Sequence, residues 1–410
     1  MSEPAPVYLT NARLVDGTGA PPREAAAVLV EAGRIARVGA ASDAIPEGAT
    51  VVDLEGRTLL PGLIDAHVHV TAFDMPVPLK GEAVIGREVK HHFIAAGLRE
   101  QLRMGITTVR DVGAFDDDLL HARRAIELGA IPGPRVLACG RILSATSPGG
   151  AHFPGMYREA DGPDEMRKAT REQIRRGADF IKIMTTGARS VVLEDPGPAQ
   201  VTRDEVATVV EEAHRMGFRV AAHCEGIDGT RLAIEEGVDT IEHGLELHRA
   251  PELLAAPAES GRIPVPTLSC FFDISETHAC RWAPVLVELA KQQREEAHQT
   301  VAAARAAGVR MAMGFDSMPN GGSALELVRM HDAGLTALEA LAAATSVAAD
   351  ACGLGDEIGA VQRGKLADLL AVDGDPVADP RILLERERIW LVLQPGGAVA
   401  GTSLEPSAQC

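Results

Sequence analysis

The stretch Pro61-Gly62-Leu63-Ile64-Asp65-Ala66-His67-Val68-His69-Val70 decides how this chain is interpreted. Its branched apolar residues predict a buried β-strand. Side chains two residues apart on a strand point to the same side, so His67 and His69 present two imidazoles in one direction. Two neutral imidazoles in this arrangement suit a divalent metal ion. Taken alone, the pair also fits two hydrogen-bonded core residues.

The chain around this stretch has the composition of a large globular protein. It has 410 residues, 46% of them hydrophobic, which is enough for one large core and a smaller one. A formal net charge of −18 argues against nucleic acid or an anionic membrane surface as a partner, because both bind basic faces. We therefore expect a small-molecule partner, and the sequence leaves a homo-oligomer open.

The cysteines and the N-terminus bear on cellular location. Six cysteines are scattered without CxxC or zinc-finger spacing, so free thiols in a reducing compartment are expected. The first residues lack a basic segment followed by an apolar one, and no apolar run reaches the roughly 18 residues of a membrane span. A cytoplasmic protein is therefore predicted.

The middle of the chain alternates short runs of branched residues with longer amphipathic runs, as parallel β/α units do. Eight strands are predicted, at residues 58–65, 107–110, 135–139, 179–183, 219–223, 240–243, 263–268 and 310–314. Eight such units make a TIM barrel. The alternative, a doubly wound open sheet, has less support because no predicted strand is followed by a GxGxxG turn.

Short alternating runs also occur near both ends of the chain, at residues 7–56 and 367–393. Strands that flank a long middle in this way predict one β domain assembled from both termini. The predicted fold class is therefore α/β. It combines a TIM (β/α)8 barrel over residues 58–354 with a small β-sandwich domain over residues 1–57 and 355–410.

Five of the predicted barrel strands end in candidate metal ligands, and barrel enzymes carry their chemistry at these strand ends. In chain order the candidates are His67 and His69, Lys182, His223, His243 and Asp316. Each residue taken alone is as compatible with a structural role as with metal binding. The whole set, one group per strand end, predicts a metal centre.

Lys182 lies in the apolar run 180–184, where burying an ammonium group would be costly. Burial and nearby cations both favour the neutral amine, which can add carbon dioxide and form a carbamate. A carbamate is a carboxylate and can bridge two cations. The alternative is a lysine whose charge reaches the barrel mouth or is paired.

The string Pro-Gly-Leu-Ile-Asp-Ala-His-Val-His and the ordered strand ends resemble the amidohydrolase superfamily, which includes prolidase-like dipeptidases and imidazolonepropionases. The resemblance runs from about residue 7 to about residue 400. It implies two divalent metal ions, with zinc as the expected metal, bridged by a carboxylated Lys182. By the same resemblance, the other ligands divide into a more buried site with His67, His69 and Asp316, and a more exposed site with His223 and His243.

Loop residues at the same face are candidates for contacts with the substrate. Residues 144–154 resemble a family loop whose Gly-Gly-His brings a histidine to the substrate carbonyl, although here an alanine separates the glycines from His152. Arg189 suits a carboxylate or phosphate, or is a solvated surface residue. After the histidine of the fifth strand, where prolidase-like relatives commonly place a carboxylate-binding tyrosine, this chain has Glu225. A glutamate facing the pocket would repel a substrate carboxylate, which disfavours substrates with a C-terminal carboxylate.

Two adjacent aromatic residues, Phe271 and Phe272, follow the seventh predicted strand and predict an apolar part of the pocket. With the ligands, they indicate a hydrolase that cuts an amide or peptide-like C–N bond of a small molecule, such as an N-acyl amino acid or a dipeptide. A metal-activated water would attack, with Asp316 as general base and His152 as a second catalytic residue.

Other reactions fit the same centre. A lactone or carbamate hydrolase needs the same activated water. A cyclic-amidine deaminase is a further alternative, although such relatives generally use one metal and lack the lysine of the fourth strand. A catalytically silent scaffold is disfavoured because no ligand is missing.

Overall fold

The computed structural model describes residues 5–71, 86–317 and 321–404. Its strands are β1 (Val7–Leu14), β2 (Arg23–Glu31), β3 (Arg34–Ala40), β4 (Thr50–Asp53), β5 (Thr58–Pro61), β6 (Leu63–Val68), β7 (Ile106–Asp111), β8 (Arg135–Ala138), β9 (Ile142–Ser144), β10 (Tyr157–Glu159), β11 (Ile181–Met184), β12 (Val220–Cys224), β13 (Thr240–His243), β14 (Ile263–Val265), β15 (Leu369–Val372), β16 (Ile389–Gln394) and β17 (Gly397–Ala400). Its helices are α1 (Arg87–Arg103), α2 (Asp118–Glu127), α3 (Pro148–His152), α4 (Pro163–Arg176), α5 (Arg203–Arg215), α6 (Ile227–Glu236), α7 (Pro251–Ser260), α8 (Leu268–Phe272), α9 (Pro284–Ala306), α10 (Ala324–Asp332), α11 (Ala337–Ala343) and α12 (Ser346–Ala351).

Parallel strands form the barrel wall in two groups. The first is β6-β7-β8, and the second runs β9-β11-β12-β13-β14 with β10 outside β9. The Asp179 amide, which donates to the Ala138 carbonyl at 2.8 Å, joins the groups on one side. On the other side, the extended segment 310–316 donates to the Pro264 carbonyl of β14, and it both donates to and accepts from β6. The ring is thereby closed, and the C-terminal ends of its strands meet at one mouth.

Amphipathic helices cover the outside of the barrel, and α5 shows how the sequence specifies one. Thr202 and Glu205 form a capping box that satisfies the first backbone amides of the helix. Val206, Val209 and Ala213 follow at helical spacing and are buried. The helix therefore begins at a capping signal and is held by one apolar face.

The second sheet is built from both ends of the chain. Its central strand, β1, pairs with β2 on one edge, while β4 and then β5 share the other edge. β5 continues antiparallel to β15, which leads on to β16 and β17. Apolar side chains of this sheet, among them Leu9, Val28 and Leu391, pack into their own core.

The predicted fold class, a TIM barrel with a β-sandwich built from both termini, is confirmed. The predicted first strand, 58–65, is divided between the two sheets. Gly62 makes the change, because its amide donates to the Asp368 carbonyl of the terminal sheet at 2.9 Å, whereas the Leu63 amide donates to Gly105 beside the barrel at 3.0 Å. The domain boundaries given by the sequence stay a prediction.

The predicted eighth strand, 310–314, is extended but carries no regular ladder of backbone hydrogen bonds. The Met313 amide donates to the Ala343 carbonyl at 2.9 Å, and this bond interrupts the pairing with its neighbours. Among the residues that the structure describes, no helix has the length and apolar character needed to cross a bilayer. The five described cysteines form no disulfide, and Cys410 lies outside the described residues.

The change of sheet at Gly62 yields a test of the fold. A Cβ atom at Gly62 would lie 2.2 Å from the hydroxyl of Thr107, a fully buried residue of β7. Gly62→Ala should therefore lower the free energy of unfolding by about 1–3 kcal/mol through overpacking. Thermal unfolding at one fixed scan rate measures the effect. Gly396→Ala, where a Cβ meets no atom within 4 Å, is the matched control. Equal melting temperatures for the two variants would contradict the close approach.

Candidate metal centre

A cavity opens at the barrel mouth, where the strand ends meet. The predicted ligands all line it, namely His67, His69, Lys182, His223, His243 and Asp316. They come from β6, β11, β12, β13 and the segment that closes the barrel. The structure thus brings into one cluster residues that are far apart in the sequence.

His67 and His69 each hold one ring nitrogen against the protein. The Nδ1–H of His67 donates to Glu242 at 2.7 Å, and that of His69 donates to the Gly113 carbonyl at 2.8 Å. Their Nε2 atoms lie 3.7 and 3.6 Å from the carboxylate oxygens of Asp316. Hydrogen bonds on the far side of each ring therefore fix which nitrogen faces the cluster.

Asp65 aligns the two chain segments that carry these groups. One of its oxygens accepts from the His67 amide and from the Phe315 amide, both at 3.0 Å. The other accepts from the Ser323 hydroxyl at 2.5 Å. The backbone amides of His67 and of Phe315, the residue before Asp316, thus share one buried acceptor.

His223 and His243 form the other half of the cluster. The Nε2–H of His223 faces the Gly187 carbonyl at 3.2 Å and Oε1 of Glu225 at 3.1 Å, which leaves Nδ1 as the nitrogen that faces His243. That nitrogen lies 3.0 Å from Nε2 of His243, whose own Nδ1 is 2.6 Å from the Thr267 hydroxyl. Each ring again has one nitrogen held by the protein and one facing its neighbour.

Three residues of this site have a strained backbone. His243, Thr267 and Asp316 have φ angles of 68°, 49° and 43°, a region that residues other than glycine rarely adopt. Such conformations cost about 1–3 kcal/mol each and persist only where surrounding contacts enforce them. The strain turns His243 out of the regular alternation of β13, so that His243 and its neighbour Glu242 both reach His67.

Lys182 lies on the cavity wall with only 2% of its surface exposed. Burial lowers the pKa of its ammonium group from the ordinary value. Within the described ranges, its Nζ has no hydrogen-bond or ion-pair partner. A buried amine in this environment is biased towards the neutral form, which is the form that can take up carbon dioxide.

The sequence analysis did not identify Glu242, although it is central to the site. It is fully buried between His67 and Arg110, whose Nη2 lies 2.8 Å from its other oxygen. Burial alone would raise the pKa of Glu242, but the Arg110 charge and the His67 hydrogen bond hold it below the usual range. Glu242 shares the inward face of β13 with Thr240, and it was missed because His243 was taken as the inward-facing residue of this strand end.

Arg189 and Glu225 form a buried ion pair on the cavity wall, with 2.7 Å between Nη2 and Oε1. The guanidinium also stacks on the ring of Phe271, 3.9 Å from its centroid. Nη1 of Arg189 and Oε2 of Glu225 have no hydrogen-bond partner within the described chain. Glu225 therefore positions Arg189, and the repulsion of a substrate carboxylate expected from the sequence is offset by the arginine.

Three predicted substrate contacts lie off the cavity wall. Phe271 is fully buried beneath Arg189, and Phe272 faces Arg294 and Arg329 instead. His152 packs edge-on against Phe153, which does line the cavity. The predicted contact of His152 with a substrate carbonyl stays a prediction.

The cavity wall has further members that the sequence analysis did not single out. They are mostly apolar or aromatic and include Ile142, Phe153, Met156, Tyr157, Met184, Ile274 and Trp282. Phe153, Met156 and Tyr157 follow closely after the glycines of the 144–154 loop. This group of large apolar side chains was the signal in the sequence that could have predicted them as part of the cavity wall. Most of the wall facing the ligands is thus hydrophobic.

The donor set fits divalent cations. Burial lowers the pKa of His67, His69 and His243, to about 4 for His69, so these imidazoles are neutral near pH 7. The ligand atoms of His67, His69 and Asp316 all lie within 4.8 Å of one another. Neutral imidazoles and a carboxylate at this spacing are the ligand types of zinc.

Comparison with known proteins points in the same direction. The Amidohydrolase family model matches residues 58–403 of this chain. Ochratoxinase from Aspergillus niger is 30% identical, with 96% of this chain and 86% of the relative covered. Imidazolonepropionase from Cupriavidus necator is 27% identical, with 90% of each covered. A solved Xaa-Pro dipeptidase with methionine bound in its active site is 29% identical with a TM-score of 0.85, over 96% of this chain and 99% of that one.

Replacing Glu242 tests the arrangement around His67. Glu242→Gln keeps the size of the side chain but removes the charge between Arg110 and His67. Loss of one partner from a buried ion pair costs about 3–5 kcal/mol. Loss of the group that orients a metal-binding histidine costs about 10–100-fold in metal affinity. Denaturant unfolding and zinc titration against a chelator should show both effects.

The matched control is Glu127→Gln, because Glu127 pairs with Arg124 at 2.9 Å on the exposed surface. An exposed pair contributes about 0–1 kcal/mol, so stability and zinc affinity should hardly change. If Glu242→Gln also kept its zinc affinity, His67 would be oriented without the carboxylate.

Proposed function

Because this chain belongs to the amidohydrolase family, we propose that it is a hydrolase that cleaves an amide or peptide-like C–N bond of a small molecule. One observation carries the proposal. Four imidazoles, Asp316 and a buried lysine that has no hydrogen-bond or ion-pair partner among the described residues converge on one cavity at the C-terminal ends of the barrel strands. The similarity to a Xaa-Pro dipeptidase supports dipeptides and N-acyl amino acids as the substrate class.

The proposed cofactors are two divalent metal ions, with zinc as the proposed metal. His67, His69 and Asp316 would hold one ion, His223 and His243 would hold the other, and carboxylated Lys182 would be shared. When bound, such cations lower the pKa of a water and polarise the substrate carbonyl. The neutral rings and the unpartnered Nζ of Lys182 support this assignment.

Asp316 is the proposed general base. Its carboxylate faces the cavity beside His67 and His69, and burial raises its pKa to about 8. A carboxylate so poised can take the proton of the attacking water at Oδ and return it to the leaving nitrogen. Cations beside Asp316 would lower this pKa. The carboxyl group would then hold a proton only between its removal from water and its transfer to the leaving nitrogen.

The walls of the cavity suggest how a substrate is oriented. Ile142, Phe153, Met184 and Trp282 offer an apolar surface for an acyl or aryl group. Nη1 of Arg189 has no hydrogen-bond acceptor among the described residues, and its N–H groups suit the carboxylate of an N-acyl amino acid or dipeptide. A cytoplasmic location stays a prediction from the sequence, and a homo-oligomer stays open.

A lactone or carbamate hydrolase would use the same residues, and a cyclic-amidine deaminase is the other alternative. Activity profiling of the zinc-loaded protein separates these reactions. N-acyl amino acids and dipeptides should be cleaved faster than lactones, aryl carbamates or cyclic amidines. A preference for lactones or carbamates would replace the proposed bond class, and no turnover of any compound would contradict a hydrolase.

Removing Lys182 tests the shared ligand. Lys182→Ala should abolish activity and reduce zinc from near two ions per chain, because no other residue on the wall supplies a carboxylate in that position. Short carboxylic acids should restore part of the activity by occupying the space. Metal analysis and rate measurements with added acetate check this.

The control is Lys90→Met, which changes another buried lysine, one that pairs with Asp118 and stacks on Phe115 away from the cavity. It should keep its zinc content. Full activity of Lys182→Ala with two ions bound would rule out the carbamate.

A further inference from the structure

One cysteine lies within the candidate metal centre. Cys270 is in α8, is 8% exposed, and lines the same cavity as the predicted ligands. Its Sγ–H donates to the Thr267 carbonyl at 3.1 Å. No role for this thiol follows from the hydrolytic chemistry above.

Its distance from two of the ligands sets this thiol apart. The ligand atoms of His243, Cys270 and Asp316 all lie within 4.8 Å of one another. This is the same limit that encloses the group formed by His67, His69 and Asp316. Asp316 belongs to both groups. The Cys270 sulfur therefore lies on the His243 side of the centre, close to one nitrogen ligand and one carboxylate.

The strained turn at Thr267 places this sulfur. Thr267 is a β-branched residue with a φ of 49°, a conformation that a β-branched residue adopts only under constraint. Its hydroxyl lies 2.6 Å from Nδ1 of His243 and 3.7 Å from Sγ of Cys270. One residue therefore sets the position of both the imidazole and the thiol.

The other described cysteines lack this geometry. Cys224 sits next to the ligand His223, but its sulfur contacts the Thr185 hydroxyl at 3.4 Å and it does not line the cavity. Cys139 donates to the Gly140 carbonyl within the core. Position, rather than the presence of a thiol, distinguishes Cys270.

We propose that Cys270 is a further ligand of the divalent cation held by His243, so that this site binds its ion through sulfur as well as nitrogen and oxygen. The proposal rests on the metal centre of the proposed function. On binding, the thiol loses its proton to solvent and the thiolate sulfur joins the cation, with no redox change. A thiolate favours zinc and cadmium over manganese or magnesium, so the site is selective for soft ions.

X-ray absorption of the zinc-loaded full-length chain tests the proposal directly. The native protein should show a sulfur neighbour at about 2.3 Å from zinc, which is distinct from nitrogen and oxygen at about 2.0–2.2 Å. Cys270→Ser should lose that sulfur signal. Cys224→Ser, a buried cysteine one residue from a ligand, should keep it.

A second measurement reports on selectivity. Loss of an orienting group beside a metal ligand already costs about 10–100-fold in affinity, so loss of a direct ligand should weaken zinc binding at least about tenfold. Manganese affinity should change much less, because manganese gains little from sulfur. Competition titrations with one chelator compare both ions in native protein, Cys270→Ser and Cys270→Ala.

The outcomes separate this proposal from the hydrolase assignment. Two zinc ions with only nitrogen and oxygen neighbours in the native protein would overturn the thiolate ligand and leave the hydrolase intact. Equal loss of zinc and manganese in both Cys270 variants would assign the thiol to packing alone. A native protein that binds no divalent ion would overturn both proposals. Should Cys270→Ser fold poorly, the sulfur signal of the native protein still decides the question.

Discussion

The structure of this site depends on a buried arginine that holds the barrel together from inside. Arg110 on β7 donates to the Ala66 carbonyl of β6 and to Thr240 and Glu242 of β13. Three strands that are not all adjacent are tied by one guanidinium, whose planar fork satisfies several acceptors at once. Its charge allows Glu242 to remain ionised in the core, and Glu242 in turn fixes His67. Without that cation, an ionised carboxylate so deep in the barrel would be too costly.

The cluster that results is organised by what lies behind each ring. A carboxylate, two backbone carbonyls and a hydroxyl hold the far nitrogens of the four histidines. The near nitrogens are therefore directed at one another before any ligand is present. The unfavourable φ angles of His243, Thr267 and Asp316 belong to the same arrangement, since regular strands could not aim these groups at a common point.

Much of this could be predicted from sequence, for reasons that are physical. His67 and His69 share one side of a strand by periodicity alone, and parallel strand ends meet at one mouth, so the ligands follow from the barrel. Glu242 was not predicted, because His243 was taken as the inward-facing residue of this strand end, and the backbone turn that brings both side chains inward has no signature in the sequence. The pairing of Arg189 with Glu225 joins loops of two different strands, and no sequence spacing encodes it. The contacts of Phe272 with two arginines are likewise not encoded by any spacing in the sequence.

The bond between Phe315 and Asp65 joins residues that are 250 positions apart. Since ribosomes add about 5–20 residues per second, roughly 12–50 seconds separate the synthesis of these two residues. During that interval β6 and its histidines have no closing segment beside them, and β5 still lacks β15. The nascent chain therefore carries two unpaired strand edges and an incomplete ligand set until residues 315–316 and then β15 have been synthesised.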